Sequence, residues 1–160
     1  MLPSISTKEL EILKTDGVFT IARVPEAALS GVWGFVRDQL ESDPSLWNKG
    51  QTIQSLRFQI ETNQLHLWLV VKDGLIYMTF LTMFKEYPVA NSLQVVWGAG
   101  GELEKYIAIA LEGLKVFAQR EGCTDIEIIG REGWEKPLKP FGYTKLSTTF
   151  VLHINSERLQ

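Results

Sequence analysis

The sequence predicts an α+β domain, a mixed, mostly antiparallel sheet with a strand–helix–strand unit at its centre and helices on its flanks. Three observations carry this. Between Leu65 and Trp97, apolar and β-branched residues run in strand-like blocks broken by an Asp-Gly pair and a proline. From Ser92 to Ile129, a strand, a long amphipathic stretch and a second strand follow one another, as in a parallel crossover. Leu29, Val32, Trp33, Val36 and Leu40 recur at helical spacing and form one apolar face. With 160 residues and no repeat or Pro/Gly/Ser-rich linker, the chain is expected to form a single domain over residues 1–160.

The elements follow in order. Ser6-Thr7-Lys8-Glu9 has capping-box spacing ahead of Leu10 and Leu13, which predicts a short first helix. Phe19–Ala22 alternates briefly like a strand. Pro25 and Glu26 suit the first turn of a helix that should stop before Asp43-Pro44. Thr52–Thr62 fits a helix through Ile53, Leu56 and Ile60, although Leu56, Phe58 and Ile60 also alternate; the helix is favoured. Leu65–Val71 leads into an Asp73-Gly74 hairpin turn and a return strand, Leu75–Phe84. Glu86-Tyr87-Pro88 should interrupt the sheet before a third strand, Ser92–Trp97. A helix over Glu102–Glu121 ends at Gly122, and Asp125–Ile129 and Thr148–Ile154 read as strands.

Composition excludes several function classes. Charged residues make up 22% and the net charge is -3, without the concentrated positive face that binding a nucleic-acid backbone requires. A single cysteine, Cys123, allows no internal disulfide and points to a reducing cytoplasm. The N-terminus lacks a secretory pattern, and the apolar run Leu65–Val71 is too short to span a bilayer. Two distant histidines and one cysteine give no metal-ligand spacing, so no metal is expected.

The stretch WGAGGELEK, residues 97–105, holds the strongest chemical signal. Backbone amides at a glycine-rich helix start can cradle phosphate oxygens. A P-loop would need Gly-Lys-Ser/Thr where Gly101-Glu102-Leu103 stands, and a dinucleotide fingerprint from Gly98 would put its third glycine at Leu103. A third reading is a coenzyme A pyrophosphate turn. A bland strand-to-helix turn competes with it.

The order of elements over about Leu65–Ile154, with Phe19–Leu40 ahead, resembles the GNAT superfamily of N-acyltransferases. Within it, FKEYP together with GCTDIEIIGREGWEKPLKPFGY, above all Gly130–Trp134 and Pro140–Tyr143, resembles small GNAT-like proteins of tailed bacteriophages. The resemblance implies acetyl-CoA as cofactor, held by the backbone of Val96, Gly98, Ala99, Gly100 and Gly101. It also implies a base on the central strands, for which Glu86, with Tyr87 beside it, is the preferred candidate. His66, between two leucines, reads rather as a partly buried strand histidine. The chain departs from the superfamily pattern at Val95, where Arg or Gln is usual, and at Leu138, where a tyrosine serves as acid. Glu102 and Glu104 bring negative charge to the turn.

Two functions follow as expectations. One is an acyl-CoA-dependent N-acyltransferase, possessing the fold with an incomplete set of cofactor and acid residues. The other is a non-catalytic shell that acts as a virion, assembly or chaperone partner of a phage or host protein. Cys123 and Trp134 read as packing residues; Trp47, Trp97 and Trp134 would mark an interaction surface if two were exposed together.

Overall fold

A computed structural model describes residues 2–44, 46, 50–129 and 134–145. Trp47, the Gly130–Gly133 stretch and the strand expected at Thr148–Ile154 lie outside the described residues. Within them the sheet runs in chain order: β1 (Glu11–Thr15), β2 (Thr20–Arg23), β3 (His66–Lys72), β4 (Leu75–Tyr87), β5 (Ala90–Gly100) and β6 (Asp125–Ile128). Neighbours are antiparallel except β5 and β6, which are parallel. The helices are α1 (Glu26–Glu41), α2 (Ile53–Glu61), α3 (Ile107–Arg120) and the single turn α4 (Glu135–Leu138).

The apolar periodicity of each helix sorts it to one side of the sheet. Leu29, Val32, Val36 and Leu40 of α1 join Leu56 and Ile60 of α2 over Leu67, Leu69, Leu81 and Trp97. On the other side, Ile109, Ala110, Leu114 and Phe117 of α3 cover Ile21, Trp68, Val70, Phe80, Leu93 and Val95. Central β3 is therefore apolar on both faces, and His66 through Val71 are all buried. Thr52 caps α2, its Oγ1 accepting the Ser55 amide at 3.1 Å. Asp73 and Gly74 both have positive φ, as the two-residue turn between β3 and β4 demands.

Helix α3 lies close against β2. A Cβ on Gly113 would stand 2.2 Å from Cγ2 of Ile21, a fully buried side chain. Gly113→Ala is accordingly expected to destabilise the protein by about 1–3 kcal/mol, since overpacking outweighs the gain of ~1 kcal/mol in helix propensity. A urea unfolding midpoint lowered at unchanged slope would show it.

Several sequence expectations are corrected. The capping box at Ser6 makes only a 3-10 turn, Thr7–Glu9, after which the chain extends into β1. Pairing with β2 and the Arg23 and Arg120 bonds to Glu11 override the local helix signal. β4 is not interrupted at Glu86; it continues to Tyr87 and pairs with β5 up to Ala90. Nor does a helix start at Glu102: a 3-10 turn over Leu103–Lys105 precedes α3, which begins at Ile107.

Candidate functional site

Gly98 and Gly100 belong to β5 and pair with Phe80 and Met78 of β4. Packing against backbone requires glycine at Gly100, whereas at Gly98 it crowds only a movable side-chain end. A Cβ on Gly98 would meet Cε of Met78 at 3.0 Å; one on Gly100 would meet the Tyr77 carbonyl at 2.5 Å. Gly101 differs, because nothing lies within 4 Å of its would-be side chain. The glycine-rich stretch is thus a strand end followed by one open position.

The turn beyond it is tied down from within. The Tyr106 hydroxyl donates to the Gly101 carbonyl, and Tyr106 is fully buried, its pKa pushed up to about 12 by that burial and by Glu104 and Glu102. Glu102 is left-handed at φ 56, a conformation rare outside glycine, and its carboxylate pairs with the Lys105 ammonium. The acidic charge expected to sit in the first turn of a helix is therefore partly neutralised and precedes that helix. The α3 ladder begins with the Ala110 amide bonding Tyr106 O, so the amides of Ile107 to Ile109 have no intrahelical acceptor.

β5 and β6 pair along the first half of β5 among the described residues. Their pairing runs from Ser92 with Asp125 to Val95 with Ile128, and a last bond joins the Ile129 amide to Val95 O. Beyond that, β5 continues to Gly100 paired only with β4 among the described residues. The last of these bonds lies beside a β-bulge: Leu81 opposes Trp97 and Thr82 opposes Val95, leaving Val96 as the extra residue. A bulged residue has an unpaired backbone and re-aims its neighbours, which is why bulges gather near active sites. Trp97 turns to the α1 side, where its indole N–H donates to Asp43 Oδ2 at 2.9 Å.

On that same α1 side, just short of the bulge, stands a carboxylate that sequence reasoning did not single out. Glu127 accepts from the Tyr87 hydroxyl on both oxygens, at 3.0 and 2.9 Å, and from Gln94 Nε2 at 3.0 Å. That bond to Glu127 pushes the Tyr87 phenol above its ordinary pKa. The only sequence signal for Glu127 is its alternation within Asp125-Ile126-Glu127-Ile128, which sets both acids on one face. Ser92 donates to Asp125 on this face as well.

The two expected catalytic residues are separated by the same alternation. Tyr87 reaches Glu127, whereas Glu86 points to the opposite, α3 side, with Phe84 and Asn91. Their backbones lie at the far end of β5 from the glycines, since Tyr87 pairs with Ala90. Eight strand residues from Ala90 to Gly98 make roughly 26 Å. The backbone of Glu86 and the amides of Gly98 to Gly101 thus stand far apart, and of the two expected residues only Tyr87 reaches Glu127.

The remaining candidates are structural. His66 is buried at 4% exposure between the rings of Phe84 and Phe117, its Nδ1 2.8 Å from Thr82 Oγ1. Burial, reinforced by the Arg23 charge, lowers its pKa to about 4 and keeps it neutral. Cys123 is half-buried and its thiol is held protonated by that burial. Leu138 is buried, and Trp134 packs partly buried against the α3-side core. Trp97 and Trp134 form no exposed pair. Among the described residues no His, Cys, Asp or Glu group could hold a metal ion, and no helix is long and apolar enough to cross a membrane.

A mostly antiparallel sheet ending in one parallel pair, with α3 joining its two strands, is the GNAT architecture, and this chain has that fold. It matches a ribosomal-protein-alanine N-acetyltransferase from Brucella melitensis biovar Abortus 2308 at TM-score 0.62 and 12% identity, over 86% of this chain and 99% of that one. A GNAT family acetyltransferase from Staphylococcus aureus matches at TM-score 0.59 and 13% identity, over 86% and 99% of the two chains. A predicted acetyltransferase from Clostridium acetobutylicum, solved with acetyl-CoA, matches at TM-score 0.58 and 14% identity, over 88% and 97%. No protein-family model matches the chain, and no curated protein sequence does.

Proposed function

We propose that the protein is an acyl-CoA-dependent N-acyltransferase with acetyl-CoA as its donor. The observation that carries this reading is the set of groups along the second half of β5 and beside it. It combines an unpaired bulge at Val96, an open glycine at Gly101 and a hydrogen-bonded carboxylate at Glu127 on the adjoining strand. The residues present fit the cofactor in part. Gly101 and the amides that follow it offer donors without side-chain bulk, while Gly98 and Gly100 shape the strand that presents them. When bound there, the cofactor would supply an activated acyl group.

From Gly100, a pantetheine arm is about as long as four extended residues, ~14 Å, and so reaches the Val96 bulge. The acceptor chemistry then belongs to side chains around Gln94 and Val96. Glu127 is the base in this reading, in place of Glu86, which faces the other side of the sheet. Tyr87 and Gln94 orient its carboxylate, which takes the proton of an acceptor ammonium and leaves the amine free to attack. The Val96 amide is placed to donate to the oxygen on which negative charge develops. Leu138 offers no proton to the leaving thiolate, a task that falls to water.

The buried Leu138 also favours a second reading, a GNAT-fold binding protein that works through a phage or host protein partner, in a virion or its assembly. Calorimetric titration with acetyl-CoA at low salt separates the two. Micromolar binding is expected, weakened at least tenfold by Gly101→Glu, a position where a side chain meets nothing in the folded protein. Gly100→Glu would not serve, because its Cβ would strike β4. Absence of heat up to millimolar cofactor would overturn the enzyme reading and turn the search to protein partners.

A further inference from the structure

Acidic residues beside a phosphate-binding turn are paradoxical, and the geometry of residues 101–106 resolves the paradox. Glu102 adopts a left-handed backbone that most side chains avoid, and there its carboxylate reaches the Lys105 ammonium three residues on. Both groups are about half exposed, at 49% and 54% of their side-chain surface, so the pair is open to exchange with solvent anions. The turn that holds them is fixed, since Lys105 N–H bonds Glu102 O at 3.0 Å and Tyr106 anchors Gly101. A rigid turn with two labile side chains lets partners be exchanged without refolding the backbone.

We propose that Glu102 and Lys105 form an internal clasp over the Gly101 site: Glu102 occupies the Lys105 ammonium in the ligand-free protein, and a phosphate group of the ligand displaces it. The inference rests on the acyl-CoA reading and specifies the residue that discharges the cofactor's pyrophosphate. Lys105 takes the role of the arginine or glutamine that the superfamily pattern would put at Val95; Gln94, one residue away, is bonded to Glu127. The left-handed Glu102 is the matching counter-ion, keeping the ammonium at the mouth of the site when no ligand is bound. The bond to Glu102, helped by the charge of Glu104, raises the Lys105 pKa above its ordinary value, so the ammonium is charged in the ligand-free protein. Glu104 has no described ion partner and adds a second negative charge beside the clasp.

The two halves of the clasp respond in opposite directions. Removing the cation in Lys105→Met is expected to weaken acetyl-CoA binding about fivefold or more, and Lys105→Arg to restore most of it. Removing the competing anion in Glu102→Gln is expected to tighten binding by about two- to fivefold. All three are read by calorimetry at low salt, and the Glu102 effect should shrink at high salt. If the wild type binds acetyl-CoA while Lys105→Met binds equally well, or while Glu102→Gln binds no tighter, the clasp is overturned and the acyl-CoA reading stands. If the wild type fails to bind acetyl-CoA at all, that reading fails and the clasp falls with it. Unchanged far-UV spectra and unfolding midpoints in the variants exclude a folding defect as the cause.

Discussion

A Glu127→Gln variant is expected to bind acetyl-CoA as the wild type does and to lose about 10²–10⁴-fold in acetyl transfer, the usual yield of a positioned base. The substitution keeps the shape of the side chain and an oxygen for the Tyr87 bond, while the Gln94 amide loses a charged acceptor. The measurement is thiol release from acetyl-CoA against a panel of primary amines, with pH varied. Tyr87→Phe should give a smaller loss, because one of the two groups that aim the carboxylate remains. Glu86→Gln should be silent, since Glu86 faces the α3 side of the sheet. Full activity in Glu127→Gln, or a large loss in Glu86→Gln, would move the base to the other face and with it the acceptor site.

The second large effect concerns stability and pH. The unfolded chain protonates His66 near pH 6.5, whereas the folded protein resists until about pH 4. Between those values the unfolded state binds more protons, so stability rises with pH through the window. It is complete above pH 6.5 and declines as pH falls towards 4, by about 3 kcal/mol in all. Denaturant midpoints taken from pH 7 to pH 4 should fall accordingly. His66→Phe keeps aromatic contact with Phe84 and Phe117 and has no proton to take up, so its stability should stay flat from pH 6.5 down to 4.5. Below pH 4.5 a separate loss remains in both proteins. The Arg23 guanidinium, with Arg120 beyond it, holds Glu11 under its ordinary pKa, and that stabilisation disappears as Glu11 is protonated. An equally steep decline between pH 6.5 and 4 in His66→Phe would remove His66 from the account.

The parts of the fold that were legible in the sequence are those governed by burial over many residues. The apolar faces of α1 and α3, the β3–β4 hairpin at Asp73-Gly74 and the crossover from β5 to β6 all follow from periodicity and turn chemistry. β1 was not legible, because Ser6–Glu9 has a good local helix start and the bonds that extend Glu11 come from Arg23 and from Arg120, far along the chain. The Gly98 and Gly100 signal was ambiguous for a similar reason. Whether a glycine clears room for a ligand or for Met78 and Tyr77 depends on the neighbouring strand. Glu127 looked like an ordinary strand acid, and its place beside Gln94 and under Tyr87 arises only when β4, β5 and β6 are aligned.

The Val96 bulge has a consequence for insertions and deletions. On either side of it, Val95 opposes Thr82 and Trp97 opposes Leu81, two adjacent residues of β4. Losing the single codon for Val96 would therefore leave every other residue of β5 opposite the partner it has now, with Trp97 still beneath α1 and Val95 still beneath α3. The sheet would close into an ordinary ladder. An insertion at the same point would instead turn the rest of the strand over. A lineage that no longer needed the bulge could shed it in one step and keep the fold, so the presence or absence of this one residue separates the shell from the site.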